Sequence, residues 1–289
     1  MIFDGIFLFY PKSNQMNAFL VSEYITKWLH TYCVNSHTSG FVVGVSGGVD
    51  SAVVSALCAM TGKTTWLLEM PIYQAASQVT RAQEHMKKLQ SRHPNVHTDR
   101  IELTSTFDTM LAALPKWDNE HITHLALANT RARLRMTTLY YYAGLHKLLV
   151  AGTGNKVEDF GIGFYTKYGD GGVDLSPIAD LNKSQVYELA RHLNVSESIQ
   201  KAAPTDGLWG DDRSDEDQIG ASYPELEWAM DFVNINAEND LVPESLVTGL
   251  SERKQKVLSI YQRMNRANRH KMVPIPVCKI PDELMLKTV

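Results

Sequence analysis

Short apolar runs at 41–45, 65–70, 101–103 and 148–151 alternate with longer stretches in which apolar residues recur at helical spacing. Strands that alternate with helices pack as a parallel sheet, with the crossovers covering both faces. The fold class expected is therefore α/β, a parallel sheet flanked by helices on both faces. Three of the runs end near Ser46, Pro71 and Gly152. Their loops should open on one sheet edge, where such folds hold ligands. The longest helical stretch is 121–147, in which Asn129, Arg133, Met136 and Tyr140 follow i, i+4, i+7, i+11 and share one face. A second helix follows Lys183, with Val186, Leu189, Ala190 and Leu193 on its apolar side.

Elsewhere the pattern breaks. Between 206 and 220 the apolar periodicity stops and Asp211, Asp212, Asp215, Glu216 and Asp217 crowd together. Such a run reads as a loop, either solvated acidic surface or a mobile cover over a site. The chain reads as one domain over 1–289, with 1–15 as an N-terminal arm in which the apolar stretch 6–10 is a strand or packing segment. That stretch has neither the basic leader nor the cleavage site of a signal peptide, and no run approaches the roughly 18 apolar residues of a membrane span.

Composition narrows the class without naming a chemistry. With 44% hydrophobic and 21% charged residues the chain suits a globular protein with an ample core. A formal charge of −4 gives no reason to expect a nucleic-acid partner. Three widely spaced cysteines, Cys33, Cys58 and Cys278, form neither a disulfide framework nor a zinc motif, so a reduced, cytoplasmic setting is expected.

The candidate chemistry begins with Ser46-Gly47-Gly48-Val49-Asp50-Ser51, set between the run at 41–45 and a helical pattern from Ala52. Gly47 and Gly48 carry no Cβ, so backbone N–H groups at the helix start can wrap a phosphate. Asp50 alone would repel that anion, but a divalent cation makes it useful as an oxygen ligand. Gly62-Lys63-Thr64 imitates a Walker A ending but has Leu57 where that motif needs glycine. Gly152-Thr153-Gly154 lacks the last small residue of a dinucleotide fingerprint, since Val157 stands there.

Gly152 to Glu158 forms a second cluster, in which Thr153 can bond nucleotide oxygens. Glu158 reads either as an ordinary helix-start acid or as Asp50's partner on Mg2+. Thr166 to Asp174, T-K-Y-G-D-G-G-V-D, combines glycines with Lys167, Asp170 and Asp174, a richer set than a linker needs. Lys183 opens a helix where a cation opposes the dipole, unless an anion such as phosphate lies near. Arg269-His270-Lys271, taken alone, reads as a solvated basic tail.

Together these segments resemble the ammonia-dependent NAD+ synthetases of the PP-loop ATP pyrophosphatase, or adenine-nucleotide α-hydrolase, superfamily. The resemblance runs over 21–271 on S-G-G-V-D-S, N-x-x-A-R-x-R-M from Asn129, G-T-G-N-K-x-E from Gly152, T-K-Y-G-D-G-G-x-D, P-T-x-x-L-W from Pro204 and His270-Lys271. It implies that ATP adenylates the nicotinate carboxylate of deamido-NAD+, releasing pyrophosphate, and that ammonia displaces AMP to give NAD+. It places ATP contacts on Gly44, Val45, Ser46, Gly47, Gly48, Val49, Asp50, Ser51, Thr153, Lys183 and Thr205, and Mg2+ on Asp50 and Glu158. Deamido-NAD+ contacts fall on Arg133, Lys167, Asp174, His270 and Lys271, which overrides the tail reading.

Catalytic roles go by the same resemblance to Asp50, Asp174 and Lys183. Between Glu158 and Lys167 the chain is one residue longer than many members, and 73–81 carries no alignable motif. Too few residues precede the first loop for the glutaminase domain of glutamine-dependent relatives, so free ammonia is the expected nitrogen source. A homodimer without nucleic-acid or membrane partners is implied. Another PP-loop ligase or thiolase, or a noncatalytic nucleotide sensor, are the competing readings. The first would need catalytic cysteines or a nucleic-acid module, and the second the loss of Asp50, Glu158 or Lys183.

Overall fold

The computed structural model describes residues 16–115, 117–204, 214–237 and 242–285. The expected arm at 1–15, Thr205 and positions 206–213 of the expected loop lie outside the described residues. Parallel strands β1 (Gly40–Gly44), β2 (Thr64–Glu69), β3 (Val96–Arg100) and β4 (Leu148–Val150) form one sheet in the order β3-β2-β1-β4. The register pairs Phe41 with Thr65 on one side and Leu149 on the other. An isolated bridge from Ala151 to Leu175 extends the sheet beyond β4.

The connections are α2 (Val49–Met60), α3 (Ala76–Arg92), α4 (Thr104–Ala113) and α5 (Glu120–His146), preceded by α1 (Ala18–Asn35). After β4 come a π-helical turn over Val157–Ile162, α6 (Lys183–His192), α7 (Glu197–Gln200), α8 (Asp215–Ile219), α9 (Tyr223–Asn236), α10 (Glu244–Thr248) and α11 (Glu252–Met272). Among the described residues no helix is long and apolar enough to cross a membrane.

Alternation along β1 divides the interior. Phe41 and Val43 enter a core with Leu29 of α1, Leu57 of α2, Met86 of α3 and Leu189 of α6. Val42, pointing the opposite way, joins Leu68, Phe107 of α4 and Ala143 of α5. Both faces of the sheet are thus covered, as the alternating pattern requires. α2 is buried on nearly every side from Val49 to Ala59, which its small and β-branched residues permit. A third core gathers Val157 and Ile162 of the π-helical turn, Leu226 of α9 and Val257 and Tyr261 of α11.

Two elements depart from the sequence reading. The third strand lies at Val96–Arg100 and not at 101–103, because β3 is an edge strand with only Val96 buried in it. An edge strand with one packed face shows no continuous apolar run. Ile101 and Leu103 follow it, their N–H groups donating to the carbonyls of Glu69 and Pro71 at 2.9 and 3.1 Å. The loop reading of 206–220 gives way at α8. There Ser214 and Asp217 form a capping box, three acids occupy the first turn, and buried Ile219 anchors the helix.

Candidate active site

From β1 the chain steps outward through β2 to β3, then returns to place β4 on the other side of β1. The loops after β1 and β4 diverge at this reversal and leave a crevice at the carboxyl ends of the strands. Gly44 through Ser51, Thr153, Glu158 and Lys183 all line the resulting cleft. In the first loop Gly47 has φ +85°, and a Cβ there would come within 2.5 Å of the Gln78 carbonyl oxygen, so only glycine fits. Hydroxyls brace the turn: Ser51 Oγ donates to the Gly48 carbonyl at 3.0 Å and accepts from the Ser46 N–H at 3.3 Å. Arg81 of α3 donates from Nε to the Gly47 carbonyl at 3.3 Å, setting a guanidinium beside the loop.

Asp50 stands in the first turn of α2, Glu158 on the π-helical turn and Lys183 at the start of α6. These elements converge so that the Lys183 ammonium lies 2.6 Å from Asp50 Oδ2 and 3.1 Å from Glu158 Oε1. Lys183 is 3% exposed. Burial works against its charge, but Asp50 and Glu158 more than offset this and hold its pKa above the ordinary lysine value. Burial likewise pushes the Asp50 carboxyl up, and the Lys183 charge opposes that rise. Asn155 Nδ2 donates to Asp50 Oδ1 at 3.3 Å, and Tyr223 donates its hydroxyl to Glu158.

Beside this trio lies Asp159, pushed up to about 8 by burial and by the charges of Glu158, Asp170 and Asp50. Glu158 and Asp159 are successive residues in the first turn of this π-helical segment.

The residues assigned to deamido-NAD+ gather in an adjoining patch and do not line the cleft itself. Arg133 of α5 donates from Nε and Nη2 to the Lys167 carbonyl, both at 3.3 Å, and Lys167 Nζ donates to the His270 carbonyl at 2.6 Å. Lys271 Nζ donates to the carbonyls of Gly163 and Tyr165 at 2.9 and 2.8 Å. Burial lowers its pKa, with Asp170 opposing. The His270 ring stays with its own helix, 3.2 Å from the Ala267 carbonyl. Asp174 accepts from the Val150 N–H at 2.8 Å and the Tyr140 hydroxyl at 3.0 Å.

Sequence reasoning alone does not single out Arg81, Asp159, Asp215 or Tyr223 as site residues. Arg81 falls in the segment without a motif, and Tyr223 sits inside the capping box Ser222-Glu225, an ordinary helix start.

A family model described as NAD synthase matches residues 21–274. The NH(3)-dependent NAD(+) synthetase of Carboxydothermus hydrogenoformans is 35% identical over 92% of this chain and 97% of its own. Among solved structures, an NMN synthetase from Francisella tularensis superposes with a TM-score of 0.77 at 30% identity, over 92% of this chain and all of its own. An NH3-dependent NAD synthetase from Campylobacter jejuni gives a TM-score of 0.71 at 26% identity, over 91% of this chain and all of its own. With its sheet order, its glycine loop after β1 and this span of likeness, the chain belongs to the NAD synthase family of carbon–nitrogen ligases.

Proposed function

We propose that the cleft binds ATP with Mg2+ and adenylates the nicotinate carboxylate of deamido-NAD+, and that ammonia then displaces AMP to yield NAD+. The observation that carries this reading is the buried trio of Asp50, Glu158 and Lys183 beside a glycine loop at a helix start. Two carboxylates against one ammonium leave a net negative charge in a nearly dry place, a deficit that a hard divalent cation would offset. Among the described residues no group of three or more acidic, histidine or cysteine side chains could hold a metal. Asp50 and Glu158 fit Mg2+, which takes one or two carboxylates and draws its other ligands from phosphates and water. Bound there, the ion supplies charge neutralisation for the triphosphate.

Each residue then has a task. The amides of the 46–48 loop hold the phosphates that become pyrophosphate. Lys183 sets its charge against the bridging oxygen as the bond between the α and β phosphorus atoms breaks. A carboxylate oxygen of the substrate forms the new bond to the α phosphorus. Nitrogen next attacks the carboxyl carbon, the bond to AMP breaks, and one proton leaves the nitrogen. Thr153 and Thr205 bond ATP oxygens, while Arg133, Lys167, His270 and Lys271 take the anionic dinucleotide. Asp174 orients the amide-forming end or accepts the ammonium proton. Its substitution Asp174→Asn is expected to suppress amidation while pyrophosphate release continues.

A homodimer suits the surface of α5, where Ile122, Leu125, Tyr141 and Leu145 are exposed on the helix that also carries Arg133. Light scattering at micromolar concentration should return twice the monomer mass of 32.4 kDa. The free thiols of Cys33, Cys58 and Cys278 agree with a cytoplasmic setting.

The deciding assay mixes purified chain with ATP, Mg2+, deamido-NAD+ and ammonium, and follows NAD+, AMP and pyrophosphate together. Equal yields of all three are expected, whereas ADP with phosphate would sink the mechanism. Parallel reactions with nicotinate mononucleotide, and with glutamine as sole nitrogen source, should run far more slowly.

A further inference from the structure

The hydroxyl of Tyr223 lies between two carboxylates. It is in short contact with Glu158 Oε1 and lies 3.2 Å from Asp215 Oδ2. Its ring sits under the Lys183 ammonium, 4.6 Å from Nζ to the centroid. Tyr223 is 3% and Asp215 6% exposed, so water does not readily stand in for either partner. A phenol is protonated near neutral pH, so the hydroxyl has a proton to give. A phenol has one proton to donate, so the two carboxylates compete for it, and in this arrangement Glu158 has the closer hold. A carboxylate that shares its charge with a cation is a poorer acceptor, and Asp215 is already within reach.

We propose that Tyr223 is a positioning residue that turns its hydroxyl from Glu158 to Asp215 when Glu158 takes up a cation, tying α8 to the occupied site. The proposal rests on Glu158 being a cation ligand, as in the function proposed above. The backbone is built for such a tie. The Tyr223 N–H already donates to Glu216 Oε1 at 2.9 Å, and the Asp215 N–H donates to the Pro204 carbonyl at 3.0 Å, next to the position that carries Thr205. Both contacts hold the first turn of α8, and the Tyr223 hydroxyl, now shared between Glu158 and Asp215, would strengthen that hold once Glu158 is occupied. Because that contact differs between the two states, it can bias one over the other. Loading the site and fastening α8 thereby become a single linked event, with Mg2+·ATP bound more tightly because of it.

Hydrogen–deuterium exchange of residues 215–219 in the full chain tests this, read without nucleotide, with ATP and EDTA, and with Mg2+·ATP. Calorimetry measures the ATP affinity with and without Mg2+. In the parent protein Mg2+·ATP should slow exchange in α8 about tenfold beyond ATP alone, the effect of roughly one hydrogen bond gained. Tyr223→Phe should abolish that extra slowing and weaken Mg2+·ATP binding about fivefold, while leaving Mg2+-free ATP binding unchanged. Asp215→Ala, which removes the acceptor and keeps the phenol, should do the same and covers the case that the first variant folds poorly. Tyr223→Phe retaining the full Mg2+-dependent slowing overturns the proposal. So does faster exchange in α8 by an equal factor in all three conditions, which marks a purely structural side chain. If Glu158→Gln keeps the parent's Mg2+ dependence of ATP affinity, the cation reading of Glu158 falls and this proposal falls with it, an outcome told apart by calorimetry alone.

Discussion

At Lys183 one ammonium stands against two carboxylates where water barely reaches, 2.6 Å from Asp50 and 3.1 Å from Glu158. Removing one partner of a buried ionic cluster leaves the others uncompensated, at about 3–5 kcal/mol. Lys183→Met should therefore lower the unfolding free energy by about that amount at pH 7. The urea midpoint checks this, and a value at pH 7 equal to that of the parent would rule it out. Pyrophosphate release should fall at least about a hundredfold in the same variant, the usual range for losing a donor to developing charge. Gly47 answers to a different constraint, since its φ of +85° and the Gln78 carbonyl oxygen, 2.5 Å from where a Cβ would lie, both oppose any side chain. Gly47→Ala should weaken ATP binding by about tenfold or more and lower the unfolding free energy by about 1–3 kcal/mol, because the clash falls on the backbone of α3 as well as on the loop.

Among the elements, α2 and α3 carry a pH dependence of their own, away from the active site. His85 of α3 is 2% exposed, with Nε2 2.9 Å from Ser55 Oγ of α2. Burial first, and the Lys88 charge second, lower its pKa to about 4. An unfolded histidine titrates near 6.5, so between these values the unfolded chain takes a proton that the folded one refuses. Stability from this group is intact above pH 6.5 and is lost on descent towards pH 4, by up to about 3 kcal/mol. His85→Gln should flatten the pH dependence of the urea midpoint in that window, and an unchanged slope would refute the assignment.

The same scale separates what the sequence makes legible from what it hides. Asn129, Arg133, Met136 and Tyr140 share a face by spacing alone, and all four meet the 166–174 segment. Asn129 Oδ1 accepts from the Thr166 hydroxyl at 2.6 Å, Arg133 bonds the Lys167 carbonyl, and Tyr140 donates to Asp174. Met136 Cγ comes within 3.0 Å of where a Cβ on Gly172 would lie. Helical period and glycine content are local signals, and they survive in a single sequence. β3 is hidden because an edge strand needs little apolar content, and α8 because its acids mask the one apolar anchor that fixes it. Tyr223 is hidden for a third reason, that its partner Glu158 is distant in the chain and nothing local distinguishes it from a residue at any capped helix start.

For the whole molecule the decisive fact is where the cores meet. Asp50 and Lys183 stand on helices of the core that includes α1, α2 and α6, whereas Glu158 stands on the π-helical turn of the core shared with α9 and α11. The ion trio thus joins two hydrophobic units, reinforced by Ser184 of α6, whose N–H and Oγ donate to Glu227 of α9 at 2.9 and 2.8 Å. Polar contacts at such a junction are weaker than a continuous core, so the unit of α9 and α11 should open below the global unfolding free energy. A ligand that needs both units is lost when either opens, and at a hundred times its dissociation constant it stabilises the closed form by about 2.7 kcal/mol. Native-state hydrogen exchange should therefore show α9 and α11 opening before β1 in the free protein. Mg2+·ATP should raise that opening energy by about 2.7 kcal/mol, or up to the global limit. Glu158→Gln should remove most of the gain, since it cuts the link on the side of the smaller core. Equal opening energies for α11 and β1, with and without ligand, would mean that the two cores already unfold as one and that the trio serves chemistry alone.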